Sequence, residues 1–249
     1  MDYKRLRFPQ YFIDNSNDHN KTNSARRPIN YKSVKYKCND YEHKLNVHHE
    51  MNYEIFYEAD RNVIQINFEK TNGKSDWFAN IAEFSSKYYD SIMFGNQKLQ
   101  LRAHHGWAEM YKSIKKEIRE EWKNLITEHP DAATEIIGWS LGSSQAMLCA
   151  QDLNYNFGVR PYLYTFGSVR PFRYTPFNKN LMKKYLLSTC EKCFNFSDIN
   201  DIVTYMPFFY GFTNIKTIRV SRDKFSIAKL LNPNLYHCSY DNPELYKRK

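Results

Sequence analysis

The sequence predicts an α/β fold, a doubly wound and mostly parallel sheet with flanking helices. Three observations carry this. β-prone runs alternate with helical patterns from residue 53 onward. A chain of 249 residues with 42% hydrophobic content suits one α/β domain with a sizeable core. Finally, Thr134 to Leu148 runs from an apolar strand pattern through Gly138-Trp139-Ser140-Leu141-Gly142 into a helix of small residues. That is the G-x-S-x-G strand–turn–helix elbow, in which small residues let strand and helix backbones approach and the serine stands at the carboxyl end of the sheet.

The elements follow in order. Tyr53 to Ala59 and Asn62 to Phe68 read as strands joined at Asp60-Arg61, a hairpin. Asn72-Gly73 marks a turn, and Ser75 caps a short helix, Asp76 to Phe84, with Trp77, Phe78 and Ile81 on one side. Lys98 to Ala103 is a strand. Trp107, Tyr111, Ile114, Ile118, Trp122 and Leu125 recur at helical spacing up to His129-Pro130. Beyond the elbow, Pro161 to Phe166 is a buried-type strand and Asn178 to Ser188 a helix. Cys193 to Phe196 is a strand, Ser197 to Asp201 a loop, Asn214 to Val220 a last strand and Phe225 to Leu231 a last helix. A polar, basic N-terminal arm, extended or poorly ordered, is predicted over residues 1–37, with the folded domain over 38–249 opening on a short helix between Cys38 and His49.

The net charge of +9 sits at the ends: residues 1–40 hold nine Lys/Arg against four Asp/Glu, and Lys247, Arg248 and Lys249 close the chain. Such ends suit transient contact with an anionic membrane surface, or simple solvation. No nucleic-acid partner is expected, because the body between the ends is nearly neutral. No apolar run is long enough to span a bilayer, and the N-terminus lacks the apolar region of a secretory signal, so a cytoplasmic location is expected. Five cysteines fit a reducing compartment. Cys190 and Cys193 form C-x-x-C without a second pair, so packed free thiols are expected rather than a metal or redox site.

A serine hydroxyl becomes a nucleophile only when a base takes its proton, and a carboxylate must orient that base. On this type of sheet the chain order is Ser, Asp or Glu, then His. His237 is the one histidine after Ser140. Among the acids between them, Asp201 ranks first because it immediately precedes the apolar pair Ile202-Val203; Asp198 ranks second and Asp223 third. Asp201 has an ordinary alternative role as a turn cap. The oxyanion formed on attack needs two backbone N–H donors, assigned to Leu141 and Thr71. Trp77, Phe78, Ile81 and Trp139 are candidates for a substrate pocket or lid; Trp139 stands equally well as a core residue.

Six segments in order, spanning roughly residues 53–245, resemble the class 3, or fungal-type, lipases. Asn67-Phe68-Glu69-Lys70-Thr71 is similar to the family's F-R-G-T, and Ser75 to Ile81 to its S-x-D-W-x-x-N lid segment. His104-His105-Gly106-Trp107 is similar to H-x-G-F, Gly138 to Gly142 to G-H-S-L-G, and Tyr164 to Ser168 to the T-F-G-x-P-R strand. Asn200-Asp201-Ile202-Val203 with Pro207 resembles D-x-V-P-x-x-P. The resemblance implies an α/β-hydrolase-like fold and hydrolysis of carboxylic esters of lipids, glyceride or phospholipid, through an acyl-enzyme. It implies Ser140, Asp201 and His237 as the triad, Thr71 in the oxyanion hole, His104 as structural support and no metal or organic cofactor. The chain departs from the pattern at Glu69-Lys70 (Arg-Gly), Trp139 (His) and Val169 (Pro). The first departure gives an alternative its footing: a catalytically impaired member of the fold that binds a lipid or a partner.

Overall fold

The computed structural model describes residues 31–36, 49–68, 86–208, 211–220, 223–230, 232–237 and 240. Two antiparallel strands, β1 (Tyr31–Tyr36) and β2 (His49–Glu58), lead into β3 (Val63–Phe68). The β2–β3 turn is the short 3-10 stretch Ala59–Arg61, closed by Asn62 at φ 51°, a left-handed conformation that asparagine tolerates. β6 (Ala133–Trp139), β7 (Tyr162–Phe166), β9 (Lys192–Asp198) and β11 (Ile218–Val220) then add in parallel. The seven-stranded order is β1-β2-β3-β6-β7-β9-β11. Phe68 lies beside Gly138, Trp139 beside Phe166 and Phe166 beside Phe196, so the carboxyl ends of four strands are level. Loops leaving that edge converge, which is where an α/β sheet builds its sites.

Alternation along the strands divides the core in two. Ile136 and Leu163 face α1 (His105–Glu128) and α2 (Leu141–Phe157), in the larger cluster with Trp107, Tyr111, Ile114, Ile118 and Leu153. Each such large side chain removed from water contributes about 1.5–3 kcal/mol. The long helix predicted from Trp107 begins at His105 and ends at Glu128, the residue before His129-Pro130. α2 is buried from Leu141 through Leu153, as its small residues require. The two helices are cross-linked by Asp152, which accepts from the Tyr111 hydroxyl at 3.1 Å and the Arg119 guanidinium at 2.8 Å, leaving its buried charge paired. α2 stops at Gly158, φ 69°, a left-handed C-terminal cap. On the opposite face Ile137, Trp139, Phe166, Phe196 and Tyr240 form a smaller aromatic cluster.

There is a second sheet, of which the sequence predicts only the strand over Lys98 to Ala103. β4 (Ser86–Phe94), β5 (Gln97–His104), β8 (Phe172–Arg173) and β10 (Phe212–Thr213) make an antiparallel unit in the order β10-β8-β5-β4. The signal for its main hairpin was present: Gly95-Asn96 is a two-residue turn, with Gly95 at φ 59°. β8 and β10 are two residues each, too short for any periodicity to reveal. α3 (Lys179–Ser188) matches its expectation within a residue and buries Met182, Tyr185 and Leu186.

Three expected elements change. Tyr31–Tyr36, assigned to the N-terminal arm, pairs with β2 in register from Tyr31–Glu54 to Tyr36–His49. The strand expected over Asn214 to Val220 is confined to Ile218–Val220. The helix expected over Phe225 to Leu231 is confined to α4 (Ile227–Leu230), and a further short helix that was not expected, α5 (Pro233–His237), follows it, with Pro233 suited to its first turn. The helix expected over Asp76 to Phe84 and all but the last residue of the one between Cys38 and His49 lie outside the described residues; His49 itself opens β2.

Candidate active site

The elbow is built by one close approach. A Cβ on Gly138 would lie 2.4 Å from the Gly142 carbonyl oxygen and 2.8 Å from Ser143 Cα, so only glycine lets β6 and α2 meet. Ser140 between them sits at φ 58°, ψ −123°, a conformation that costs a non-glycine residue of order 1–3 kcal/mol. The surroundings hold it there. Its N–H donates to the Phe166 carbonyl at 2.9 Å, and the Ser143 hydroxyl donates beneath it to the Gly138 carbonyl at 2.9 Å. The strain turns the Ser140 side chain out of the strand and over the start of α2.

His237, the last residue of α5, meets that side chain. Its Nε2 is 2.7 Å from Ser140 Oγ and its Nδ1 is 2.8 Å from Asp201 Oδ2. A carboxylate oxygen only accepts, so Nδ1 carries the proton and Nε2 is left to receive one from Ser140. The Asp201 side chain is fully buried and accepts on both oxygens: Oδ1 from the Val203 N–H at 2.9 Å, Oδ2 from His237 and from the Tyr240 hydroxyl at 2.8 Å. Its two oxygens make separate contacts. One oxygen caps the turn Ile202–Tyr205, and the other orients the histidine.

The two remaining acids do other work. Asp198 ends β9 and receives the Asn200 N–H at 2.8 Å, shaping the loop that delivers Asp201. Asp223 receives the Tyr236 hydroxyl at 2.9 Å and lies 3.5 Å from Lys229 Nζ, which fastens α4 to α5 beside the histidine. Asn200 ties the same segment to the acid loop, accepting the Ser226 N–H at 3.0 Å.

Tyr240 went unread in the sequence. Its oxygen accepts the Asp198 N–H at 2.7 Å while its proton goes to Asp201, so one phenol locks both ends of the acid loop. Room for it comes from Gly167, φ 59°, where a Cβ would lie 2.7 Å from the Tyr240 ring and 3.0 Å from the His237 imidazole. Burial first, then the Asp201 carboxylate, pushes the Tyr240 phenol well above its ordinary value. The pH dependence follows from that direction. Stability from a group whose folded value is raised is complete below the unfolded value, about 10 for tyrosine, and is lost as pH climbs past it. Above that point Tyr240 costs about 1.4 kcal/mol of stability per pH unit. Urea unfolding at about pH 9 and about pH 11 should therefore show a smaller alkaline loss in Tyr240→Phe than in wild type. Equal losses would refute the assignment.

Trp139 is 1% exposed, and its indole N–H donates to the His237 carbonyl at 3.2 Å; of its two readings, this is the core position. Leu141 directly follows Ser140 at the start of α2. Thr71, Trp77, Phe78 and Ile81, with Glu69-Lys70, lie outside the described residues. His104 is buried and stacks on Trp107 with ring centroids 4.1 Å apart. Cys149, Cys190 and Cys193 are free thiols; burial pushes Cys190 up to about 11. Among the described residues no group of His, Cys, Asp and Glu is arranged to hold a metal, and no helix is long and apolar enough to cross a membrane.

Solved structures share this fold. A mutant form of MDLA from Penicillium cyclopium matches with TM-score 0.56 and 19% identity over 72% of this chain and 63% of its own. A lipase from Rhizopus microsporus var. chinensis matches with TM-score 0.56 and 18% identity over 79% and 63%. The triacylglyceride lipase of Rhizomucor miehei gives TM-score 0.54 and 20% identity over 68% and 61%. The chain thus spans under two thirds of the length of each of these relatives. At the sequence level the family Lipase (class 3) matches residues 65–211, which include the elbow, the acid loop, β6, β7 and β9 of the larger sheet and β4, β5 and β8 of the smaller. That match takes in more than half of the chain, and the protein belongs to the class 3 lipase family.

Proposed function

We propose that the protein is a serine hydrolase that cleaves carboxylic esters of lipids through an acyl-enzyme. The observation that carries this is the unbroken relay from Ser140 Oγ to His237 Nε2 at 2.7 Å and from Nδ1 to Asp201 Oδ2 at 2.8 Å. Ser140 Oγ attacks the acyl carbonyl as its proton passes to Nε2, and Asp201 stabilises the imidazolium. The carbonyl oxygen becomes an oxyanion, received by the Leu141 N–H and the Thr71 N–H. Collapse breaks the ester C–O bond, and Nε2 returns its proton to the departing alcohol. Water then repeats the sequence on the acyl-serine, releasing the fatty acid and restoring Ser140. Every proton is handled by His237, so the cycle requires neither metal nor organic cofactor.

A lipid substrate is supported by exposed apolar side chains close in the chain to Asp201 and His237. Phe208, Phe225, Ile227 and Leu235, 49–73% exposed, lie on the acid loop's exit and on the segment leading to His237. Exposed large apolar side chains suit an acyl chain or lipid surface better than water. Trp77, Phe78 and Ile81 are the sequence's candidates for a lid, and the basic ends of the chain favour anionic phospholipid beside glyceride.

The test is labelling with a fluorophosphonate probe, with the adduct mapped by peptide mass spectrometry, beside turnover of p-nitrophenyl esters of rising chain length and of glyceride and phospholipid vesicles. Labelling at Ser140 with ester turnover is expected, and vesicle preference then names the head group. A folded protein that neither labels nor turns over any ester would overturn the reading in favour of a binding protein.

A further inference from the structure

We propose that Trp139 is a positioning residue for His237, holding the base in register with the nucleophile from the neighbouring position in the chain. The inference rests on the hydrolase reading above for its kinetic consequences, though not for its geometry.

His237 lies at the end of a short element. It ends α5, a five-residue helix too short to be stable on its own and preceded by the equally brief α4. The last carbonyls of any helix lack intrahelical donors. The His237 carbonyl is one of these, and the Trp139 indole N–H supplies its hydrogen bond at 3.2 Å. Asp223 anchors α5 one residue earlier, through Tyr236. Asp201 holds the imidazole ring, and the indole N–H adds a hold on the main chain of residue 237.

The donor is as fixed as Ser140 itself. Trp139 is the last residue of β6, paired with Phe166 of β7, and the Ser140 N–H donates to the carbonyl of the same Phe166. The two ends of the Ser–His contact therefore share one frame: the hydroxyl extends from residue 140, and the tether to the histidine's main chain extends from residue 139. The indole also meets Tyr240 edge-on, with centroids 6.1 Å apart at 82°, and Tyr240 in turn holds Asp201. A single buried ring thus touches the backbone of the base and the residue that fixes the acid. The family pattern carries histidine at this position, a smaller ring on the same stem, so the indole tether belongs to this chain's own departure from the pattern.

The experiment compares wild type with Trp139→Phe and with β-(3-benzothienyl)alanine incorporated at position 139. The second keeps the bicyclic shape and replaces N–H by sulfur, so it decides the matter if the phenylalanine variant folds poorly. Loss of one neutral hydrogen bond at this place should lower kcat on a short p-nitrophenyl ester about tenfold, with KM within about twofold. The rate of fluorophosphonate labelling should fall in parallel, with circular dichroism unchanged. A readout free of turnover is the downfield proton resonance of His237 Nδ1–H, sharp in wild type and broadened by solvent exchange in the benzothienyl protein. Wild-type kcat and an unaltered resonance in that protein would overturn the proposal. An inactive wild type whose resonance still responds to the substitution would keep the tether while removing the hydrolase reading.

Discussion

Ser140→Ala and His237→Ala are each expected to lower kcat on a p-nitrophenyl ester by about 10⁶-fold, with the double variant no worse than either alone, because nucleophile and base act as a unit. Asp201→Asn should lose about 10⁴-fold. The environment of residue 201 explains why so small a change costs so much. Three donors converge on that carboxylate: the Val203 N–H, the His237 ring and the Tyr240 hydroxyl. An amide supplies one accepting oxygen and one donating nitrogen. With the oxygen toward Val203, the amide donates to Nδ1, which forces the proton onto Nε2 and leaves no acceptor for Ser140. With the oxygen toward His237, the amide points its hydrogens at the Val203 N–H and breaks the cap of the turn. Asp198→Asn is the control, since an amide oxygen still receives the Asn200 N–H, and kcat should stay within about tenfold of wild type. Initial rates on folded variants decide this. An Asp201→Asn protein within tenfold of wild type, or an Asp198→Asn protein equally impaired, would remove Asp201 from its role.

Much of this site is readable in the sequence because its chemistry is locally encoded. The elbow needs small residues at fixed offsets from the serine, and Gly138 and Gly142 declare it. Asp201 betrays itself through the turn it caps, since a capping carboxylate precedes the apolar residues of the turn. His237 followed from chain order alone. Tyr240 gave no such sign. It is one of 20 tyrosines, and its value arises from a loop closure that brings it onto Asp201, 39 residues earlier in the chain. Trp139 was ambiguous for a similar reason. Its burial and its hydrogen bond to residue 237 depend on a contact 98 residues away. Whereas α1 and α2 advertise themselves over many turns, the second sheet is completed by two-residue strands whose pairing is set wholly by the tertiary fold. The start of α5 has a local sign in Pro233, a residue suited to a first helical turn, but five residues are too few for a periodic pattern.

Two glycines should separate folding from function. At Gly138 an added Cβ meets backbone, the Gly142 carbonyl at 2.4 Å and Ser143 Cα at 2.8 Å, and neither atom can move without parting β6 from α2. Overpacking of this kind reaches or exceeds about 3 kcal/mol, which for a chain of this size lowers Tm by roughly 10 °C. Gly138→Ala should accordingly lose stability and all measurable turnover together. At Gly167 the neighbours are side chains instead: the edge of the Tyr240 ring at 2.7 Å and the His237 imidazole at 3.0 Å. The left-handed φ of 59° adds about 1–2 kcal/mol of strain for alanine, but the rings can swing aside and the fold survives. They swing away from Ser140 and Asp201, and a displacement of the base near 1 Å costs about 10²-fold. Gly167→Ala should therefore melt only about 5 °C below wild type while kcat falls about 10²-fold. Thermal unfolding beside initial rates distinguishes the two. If Gly167→Ala kept wild-type turnover, Tyr240 and His237 would not be packed against residue 167; if Gly138→Ala kept wild-type Tm, the elbow would not close at residue 142.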